Sequence, residues 1–237
     1  MISIITSLYK SEKYLEKYLE NVDKFSKQAQ FDFEVIAIVN DPTEFEKAKL
    51  TNFKKNHPFL KIMEIPREPL YATWNRGVRA AQGAVVGFWN VDDVRYPKAV
   101  ADGLSLIEQG NDLVYFPFRY KRYVHILGFD MLAKNKIIQV PEFDRAEFMR
   151  SMICGPFFIF KKEFFEKVSP FDEQFKIAGD FDWCVRAAKI GTFARSKEVA
   201  GLFTNNGTSL SGSKSNRHEI ENNIIYKKNQ IFDKIKE

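Results

Sequence analysis

The chain has 237 residues, 45 % of them apolar and 23 of them phenylalanine, which suits one α/β domain with a sizeable core and excludes wholesale disorder. No apolar run approaches the length of a bilayer-spanning helix. The net charge of +5 is compatible with an anionic ligand, but acids interleave with the lysines and arginines, and the absence of a basic block or an RNP1-like string argues against nucleic acid as a partner.

The opening Ile2 to Ser7 is β-rich and reads as a first strand, not as a signal peptide. Tyr14, Leu15, Tyr18, Leu19, Val22 and Phe25 recur at helical spacing, with Ser11 as the expected N-cap. Phe33 to Val39 reads as a second strand closed by Asn40-Asp41-Pro42-Thr43, followed by a polar helix from Glu44 to Lys55 and a third strand from Leu60 to Ile65. Tyr71 to Gln82 is a predicted helix ended by Gly83, and Ala84 to Trp89 a fourth, buried strand. Pro97 opens a helix running to Gln109, and Asp112 to Phe118 is a fifth strand. This alternation predicts a mostly parallel, doubly wound sheet flanked by helices.

Beyond it, Arg119 to Val140 suggests a hairpin or excursion, Gly155 to Phe160 a strand, and Asp180 to Lys189 a helix. Asn205 to Ser215 is a polar, Gly/Ser-rich loop expected to move. From Arg217 a basic amphipathic helix carries Ile220, Ile224, Ile225, Ile231 and Ile235, and either packs on its own domain or lies on a membrane surface. Cys154 and Cys184 are lone members of apolar segments, read as buried thiols in a reducing cytosol.

The densest chemical signal is the stop of the fourth strand at Asn90-Val91-Asp92-Asp93. In open α/β sheets ligands sit beyond the carboxyl ends of the strands. Two adjacent acids there suit a hard divalent cation and hence a phosphorylated ligand, although either acid can instead cap the next helix. Asp41 ends the second strand in the same way, as a partner in that crevice or as an Asx-turn before Pro42. No dinucleotide fingerprint, P-loop or nucleophile elbow is present.

Four blocks resemble the inverting, family 2 type of glycosyltransferase with the GT-A fold. They are SIITSLYKSEKYLE, VNDPTEF, YATWNRGVRAAQGAVVGFWNVDD, and GPFFIFKKEFF with PFDEQFKIAGDFDWCVR. Asp41 keeps one acid of the family's base- and ribose-binding pair and Asn40 replaces the other; Asn75 and Gly77 match its Asn-x-Gly helix. Asn90 replaces the first acid of the D-x-D motif and Asp92 keeps the metal-binding one, while Gly179-Asp180 stands where the family has Glu-Asp.

The resemblance implies one GT-A domain over residues 1–237: a nucleotide-sugar half over 1–95, an acceptor half over 96–204, and a loop with the terminal helix over 205–237. It implies transfer of a sugar from a nucleotide-diphosphate sugar, a UDP-sugar first, to a hydroxyl on a glycan or lipid-linked acceptor, in surface polysaccharide assembly. Mn²⁺ or Mg²⁺ would sit on Asp92 and Asp93, with His218 a further candidate ligand or a plain helix residue. Thr6, Ser7, Tyr9, Asn40, Asp41, Asn75, Asn90, Val91 and Asp92 fall on the donor side. Asp180 is the expected general base, with Asp182 the other choice, and Asp182 and Trp183 are expected on the acceptor side. Trp89 is expected in the core. Arg67 and Arg76 are either donor contacts or solvated, and Arg186 is a helix salt-bridge partner of Asp182. His57 and His125 are surface or packing residues. The expected location is cytoplasmic, with the terminal helix open to contact with the inner membrane face. Two other readings stay open: a nucleotidyltransferase on a similar sheet, and a non-catalytic glycan- or nucleotide-binding relic.

Overall fold

The computed structural model describes residues 1–126, 129–205 and 216–234. The expected polar loop, except Asn205, lies outside them, as do Ile235 and the side chain of His125.

The first half alternates as the periodicity predicts: β1 (Ile2–Leu8), α1 (Glu12–Gln28), β2 (Phe33–Asn40), α2 (Glu44–Lys54), β3 (Leu60–Ile65), α3 (Leu70–Ala80) and β4 (Val85–Phe88). Then follow β5 (Val94–Arg95), α4 (Pro97–Glu108), β6 (Leu113–Tyr115), β7 (Phe118–Ile126), β8 (Phe129–Ile138) and α5 (Arg145–Arg150). The last elements are β9 (Ile159–Lys161), α6 (Lys162–Val168), α7 (Gly179–Ile190), β10 (Phe193–Arg195), β11 (Gly201–Asn205) and α8 (Arg217–Lys228).

Seven strands form the main sheet in the order β10-β6-β9-β4-β1-β2-β3. Alternate residues serve opposite faces. Ile4, Val35, Ala37 and Val39 pack with Leu15, Tyr18 and Val22 of α1, whereas Ile5, Ile36 and Ile38 belong to a second core with Trp74 and Val78 of α3 and Trp183 and Val185 of α7. Gly77 lets α3 lie against β1, because a Cβ there would meet the Ile5 side chain at 2.6 Å. Trp89 is buried as expected, edge-on to Tyr18 at 5.6 Å.

Three details depart from expectation. The fifth strand is split: Pro117, which cannot donate to a ladder, separates β6 from β7. Gly155 to Phe160 is a strand only at its end, since Gly155 to Phe157 form a short turn, and β9 enters the sheet antiparallel to both β4 and β6. Ser11 occupies the N-cap position of α1, but its hydroxyl accepts from Tyr9 N at 3.0 Å and caps nothing in the helix. A capping box was missed one helix later: Thr43 Oγ1 accepts from Glu46 N at 3.2 Å, and Glu46 Oε2 from Thr43 N at 3.0 Å.

The expected excursion is a hairpin. β7 and β8 pair antiparallel and join β11 and β5 in a four-stranded sheet, order β5-β11-β7-β8. No helix among the described residues is long and apolar enough to cross a membrane.

Candidate active site

A cleft of about 620 Å³ opens beyond the carboxyl end of β4. Asp92 lies in the turn after β4, Asp180 at the start of α7, and His218 on the first turn of α8, and all three line it. Ser7, Asn90, Val91 and Trp74 line it as well. The two carboxylates the sequence singled out therefore share one cavity.

The turn after β4 is built from short-range bonds. Asp93 N donates to Asn90 O at 3.1 Å, and Trp89 Nε1 donates to Asp93 O at 3.1 Å. This geometry divides the acidic pair. Asp93 is 1 % exposed; its Oδ1 accepts from Thr204 N and its Oδ2 from Asn90 Nδ2, both at 3.0 Å. Burial pushes its carboxyl well up, and the Asp92 charge adds to that. The expectation that Asp93 holds a cation is thus corrected: both oxygens are engaged in joining the turn to β11. Asp92 is half-buried, burial raises its pKa, and no donor from another residue reaches its carboxylate among the described residues.

Asp180 sits on the first turn of α7. Its Oδ1 accepts from Phe181 N at 2.9 Å and from the Tyr71 hydroxyl at 3.1 Å, while among the described residues nothing donates to Oδ2 from another residue. Burial raises its pKa; the bonds from Phe181 and Tyr71 and, last, the nearby His218 work against that rise. The Tyr71 phenol is itself pushed far up by burial and by Asp180, so it stays a protonated donor. Gly179 explains why the expected Glu-Asp pair is Gly-Asp here. A Cβ at 179 would come within 2.6 Å of the Tyr71 ring. The tyrosine fills the space that a longer side chain would need.

A second support comes from α8. Glu221 is 7 % exposed, and its carboxylate accepts from Lys176 N at 3.1 Å, Ile177 N at 2.9 Å and Ala178 N at 2.9 Å. It fixes the three residues that lead into Gly179 and Asp180. Two further residues of α8 engage the domain: Ile225 is fully buried, and Lys228 reaches Asp182 Oδ1 at 3.2 Å. Ile220 and Ile224 remain exposed. Neither Tyr71 nor Glu221 had been singled out from the sequence, where nothing marks them as partners of a residue 109 and 41 positions away.

Several other expected site residues are elsewhere. Trp183 is fully buried, packed on Phe160 at 4.9 Å and Phe171 at 5.4 Å, and offers no face to an acceptor. Trp74, stacked on Phe88 at 4.1 Å, is the indole that lines the cleft. Asp182 is fully buried and paired to Arg186 at 2.9 Å, as its place two residues along the helix requires. Thr6 is fully buried with its hydroxyl on the Tyr18 hydroxyl at 2.7 Å. Asn40 is held by Leu8 O and Glu68 N, and Asn75 ties α3 to Phe171 through both its amide atoms. Apart from Trp74, none of these residues lines the cleft.

Asp41, at φ 44°, lies on the same sheet edge as Asp92 but lines a separate shallow hollow with Lys47 and Glu64. Its Oδ1 accepts from Arg67 N at 3.1 Å, and the Arg67 guanidinium covers the Tyr9 ring at 4.1 Å. Arg76 is bidentate to Glu68. His57 stacks on Phe53 at 3.7 Å and bonds Asp23, a packing role as expected.

A cation can be matched to this set. Among the described residues no three His, Cys, Asp or Glu side chains gather into a metal cluster. Mg²⁺ and Mn²⁺ bound with a substrate diphosphate need only one or two carboxylates from the protein. Asp92, unbonded and facing the cleft, meets that need, and His218 lines the same cleft.

The sheet order, with a crevice beyond the carboxyl end of β4, is that of the GT-A fold. The model of glycosyl transferase family 2 matches residues 3–169, and the chain belongs to that family. Among curated relatives it is 24 % identical over 199 residues to a chondroitin synthase of Pasteurella multocida (strain Pm70) and to a hyaluronan synthase of Pasteurella multocida. Each match covers 84 % of this chain but 20 % of the relative, so the chain spans about a fifth of their length. The fold is similar to that of S. aureus TarS 1–349 in complex with UDP-GlcNAc, with a TM-score of 0.71 and 16 % identity over 94 % of this chain and 66 % of that one. It is also similar to the mannosyltransferase PcManGT from Pyrobaculum calidifontis in complex with GDP-Man and Mn²⁺, at a TM-score of 0.66 and 15 % identity over 96 % and 63 %.

Proposed function

We propose that this chain transfers a sugar from a nucleotide-diphosphate donor to an acceptor hydroxyl with inversion at the anomeric carbon. The observation that carries the reading is the meeting of Asp92 and Asp180 in one cleft, each half-buried and each with carboxylate capacity that no other described residue uses. Asp180 takes the proton of the acceptor hydroxyl through Oδ2, while Oδ1 stays fixed by Tyr71 and Phe181. The freed oxygen forms the new bond to the anomeric carbon as the bond to the phosphate oxygen breaks, and the nucleoside diphosphate leaves with that electron pair. Asp92 would hold Mg²⁺ or Mn²⁺, which would supply countercharge for the departing diphosphate. Ser7, Asn90 and Val91 line the donor side, and Trp74 supplies an apolar wall.

A UDP-sugar is the first donor to test, since TarS is known in complex with UDP-GlcNAc; GDP-Man, held by PcManGT, is the second. Likeness to chondroitin and hyaluronan synthases supports a place in polysaccharide assembly. The chain is incubated with UDP- and GDP-sugars, Mn²⁺ and a panel of oligosaccharides, and the released product is identified. Free UDP or GDP is the expected result. Pyrophosphate release would assign a nucleotidyltransferase instead, and no turnover with any donor would remove the proposal.

A further inference from the structure

The small sheet carries a feature that the transfer chemistry does not use. Residues 118–138 hold five basic side chains, Arg119, Lys121, Arg122, Lys134 and Lys136, against one acid, Asp130. The register sorts them. Side chains two apart share a face, so Phe118, Tyr120 and Arg122 point one way, and their cross-strand partners Ile138, Lys136 and Lys134 point with them. On that face the Tyr120 ring stacks on Phe203 of β11 at 6.0 Å and 21°, and Phe203 lines the cleft. Arg119, by contrast, is on the opposite face, bonded to Asn135. Arg122, Lys134 and Lys136 are exposed, and none pairs with an acid among the described residues. Lys176, at the cleft wall, is exposed and unpaired in the same sense.

The result is a track that leaves the cleft over two stacked aromatic rings and runs onto three uncompensated cations. Each part selects for something. Flat aromatic faces suit the apolar faces of pyranose rings. Uncompensated cations at a surface attract anionic groups and repel cationic ones. A polyol-phosphate chain offers charge but no flat ring for Tyr120 and Phe203. We infer that the face formed by Phe203, Tyr120, Lys136, Arg122 and Lys134 is an acceptor-binding track for an acidic glycan: a chain of pyranose rings bearing carboxylates, whose end reaches Asp180 in the cleft. This rests on the transferase reading above and names its acceptor class.

The full chain, saturated with UDP and Mn²⁺, is titrated calorimetrically with three probes. These are a hexasaccharide alternating glucuronate and N-acetylglucosamine, neutral chitohexaose, and a glycerol-phosphate hexamer. The acidic hexasaccharide is expected to bind about tenfold or more tighter than chitohexaose at low ionic strength, and to lose that advantage as salt rises. The triple change Arg122→Ala, Lys134→Ala, Lys136→Ala is expected to weaken the acidic probe about tenfold, while chitohexaose and UDP bind as before. Tyr120→Ala is expected to weaken both sugar probes. Equal binding of acidic and neutral probes, no effect of the triple change, tighter binding of the glycerol-phosphate hexamer, or no binding of the acidic probe would each overturn the inference. The titration requires no turnover, so these outcomes are distinct from failure of the transferase reading, which would appear as no nucleotide release from any donor.

Discussion

Asp92 and Asp180 face the same cleft but are held there in different ways. Asp92 rides on a tight turn whose bonds run mostly between Trp89, Asn90 and Asp93, with long-range ties from Trp89 N to Ile5 O of β1 and from Thr204 N of β11 to Asp93. Asp180 is held by the Tyr71 hydroxyl from α3 and, one step removed, by Glu221 from α8. A short motif can make the first carboxylate available by itself. The second depends on three distant segments arriving together. On the proposed assignment, changes elsewhere in the chain are expected to reach Asp180 more readily than Asp92.

Substitutions test this contrast. The largest effect is expected for Asp180→Asn, which keeps the shape but cannot accept the proton. Turnover should fall on the order of 10²-fold or more, with UDP affinity unchanged. Near-normal turnover would take the base role from Asp180 and leave the comparison with one member. Asp92→Asn should reduce turnover on the order of 10²-fold and remove the response to Mn²⁺, because the charge that answers the departing diphosphate is lost. Asp93→Asn in the same assay should retain the Mn²⁺ response; if it does not, the division of labour within the pair is wrong.

Glu221→Gln is expected next. A neutral amide replaces a carboxylate that takes three backbone donors, and the loss of charge-assisted bonds corresponds to about tenfold in kcat. KM for the donor should hold, since Glu221 bonds only the segment that leads into Asp180. A rise in donor KM equal to the fall in kcat would contradict the asymmetry between the two carboxylates.

Tyr71→Phe removes the hydroxyl that reaches Asp180 Oδ1 at 3.1 Å and Ile177 O at 2.7 Å. The Tyr71 hydroxyl lowers an Asp180 pKa that burial raises, so its loss should move the acid limb of the kcat/KM profile to higher pH, with only a few-fold loss at the optimum. An unmoved limb would mean that the bond does not tune the base. The smallest effect concerns stability. An acid whose folded pKa is raised favours the fold most below its unfolded pKa, and that advantage is lost as pH rises through the folded value. Asp180→Asn should therefore raise Tm at neutral pH by up to about 4 °C, and the difference should shrink on acidification. A lower Tm at neutral pH would show that the carboxylate stabilises the fold.

Much of this fold is visible in the chain because the relevant interactions are short-range or periodic. The order of the first strands and helices follows from alternating buried runs and helical stripes, Pro97 stands at the start of its helix, and Asn90 to Asp93 announces the turn that carries Asp92. Even the missed capping box, Thr43 with Glu46, was readable from a three-residue spacing. Residue type alone misled where one side chain serves two purposes. Asn40, Asn75, Asp93 and Trp183 have the chemistry of ligand contacts, yet burial commits them to backbone groups and aromatic packing. The sequence by itself determined the alternating architecture, the family, and the two acids at the ends of their elements. Only the tertiary structure decided which acid of the pair stays free, that Tyr71 takes the room beside Gly179, and that Glu221 anchors the approach to Asp180. Those outcomes depend on which atoms are left without a partner once distant segments have packed, a quantity that no local pattern encodes.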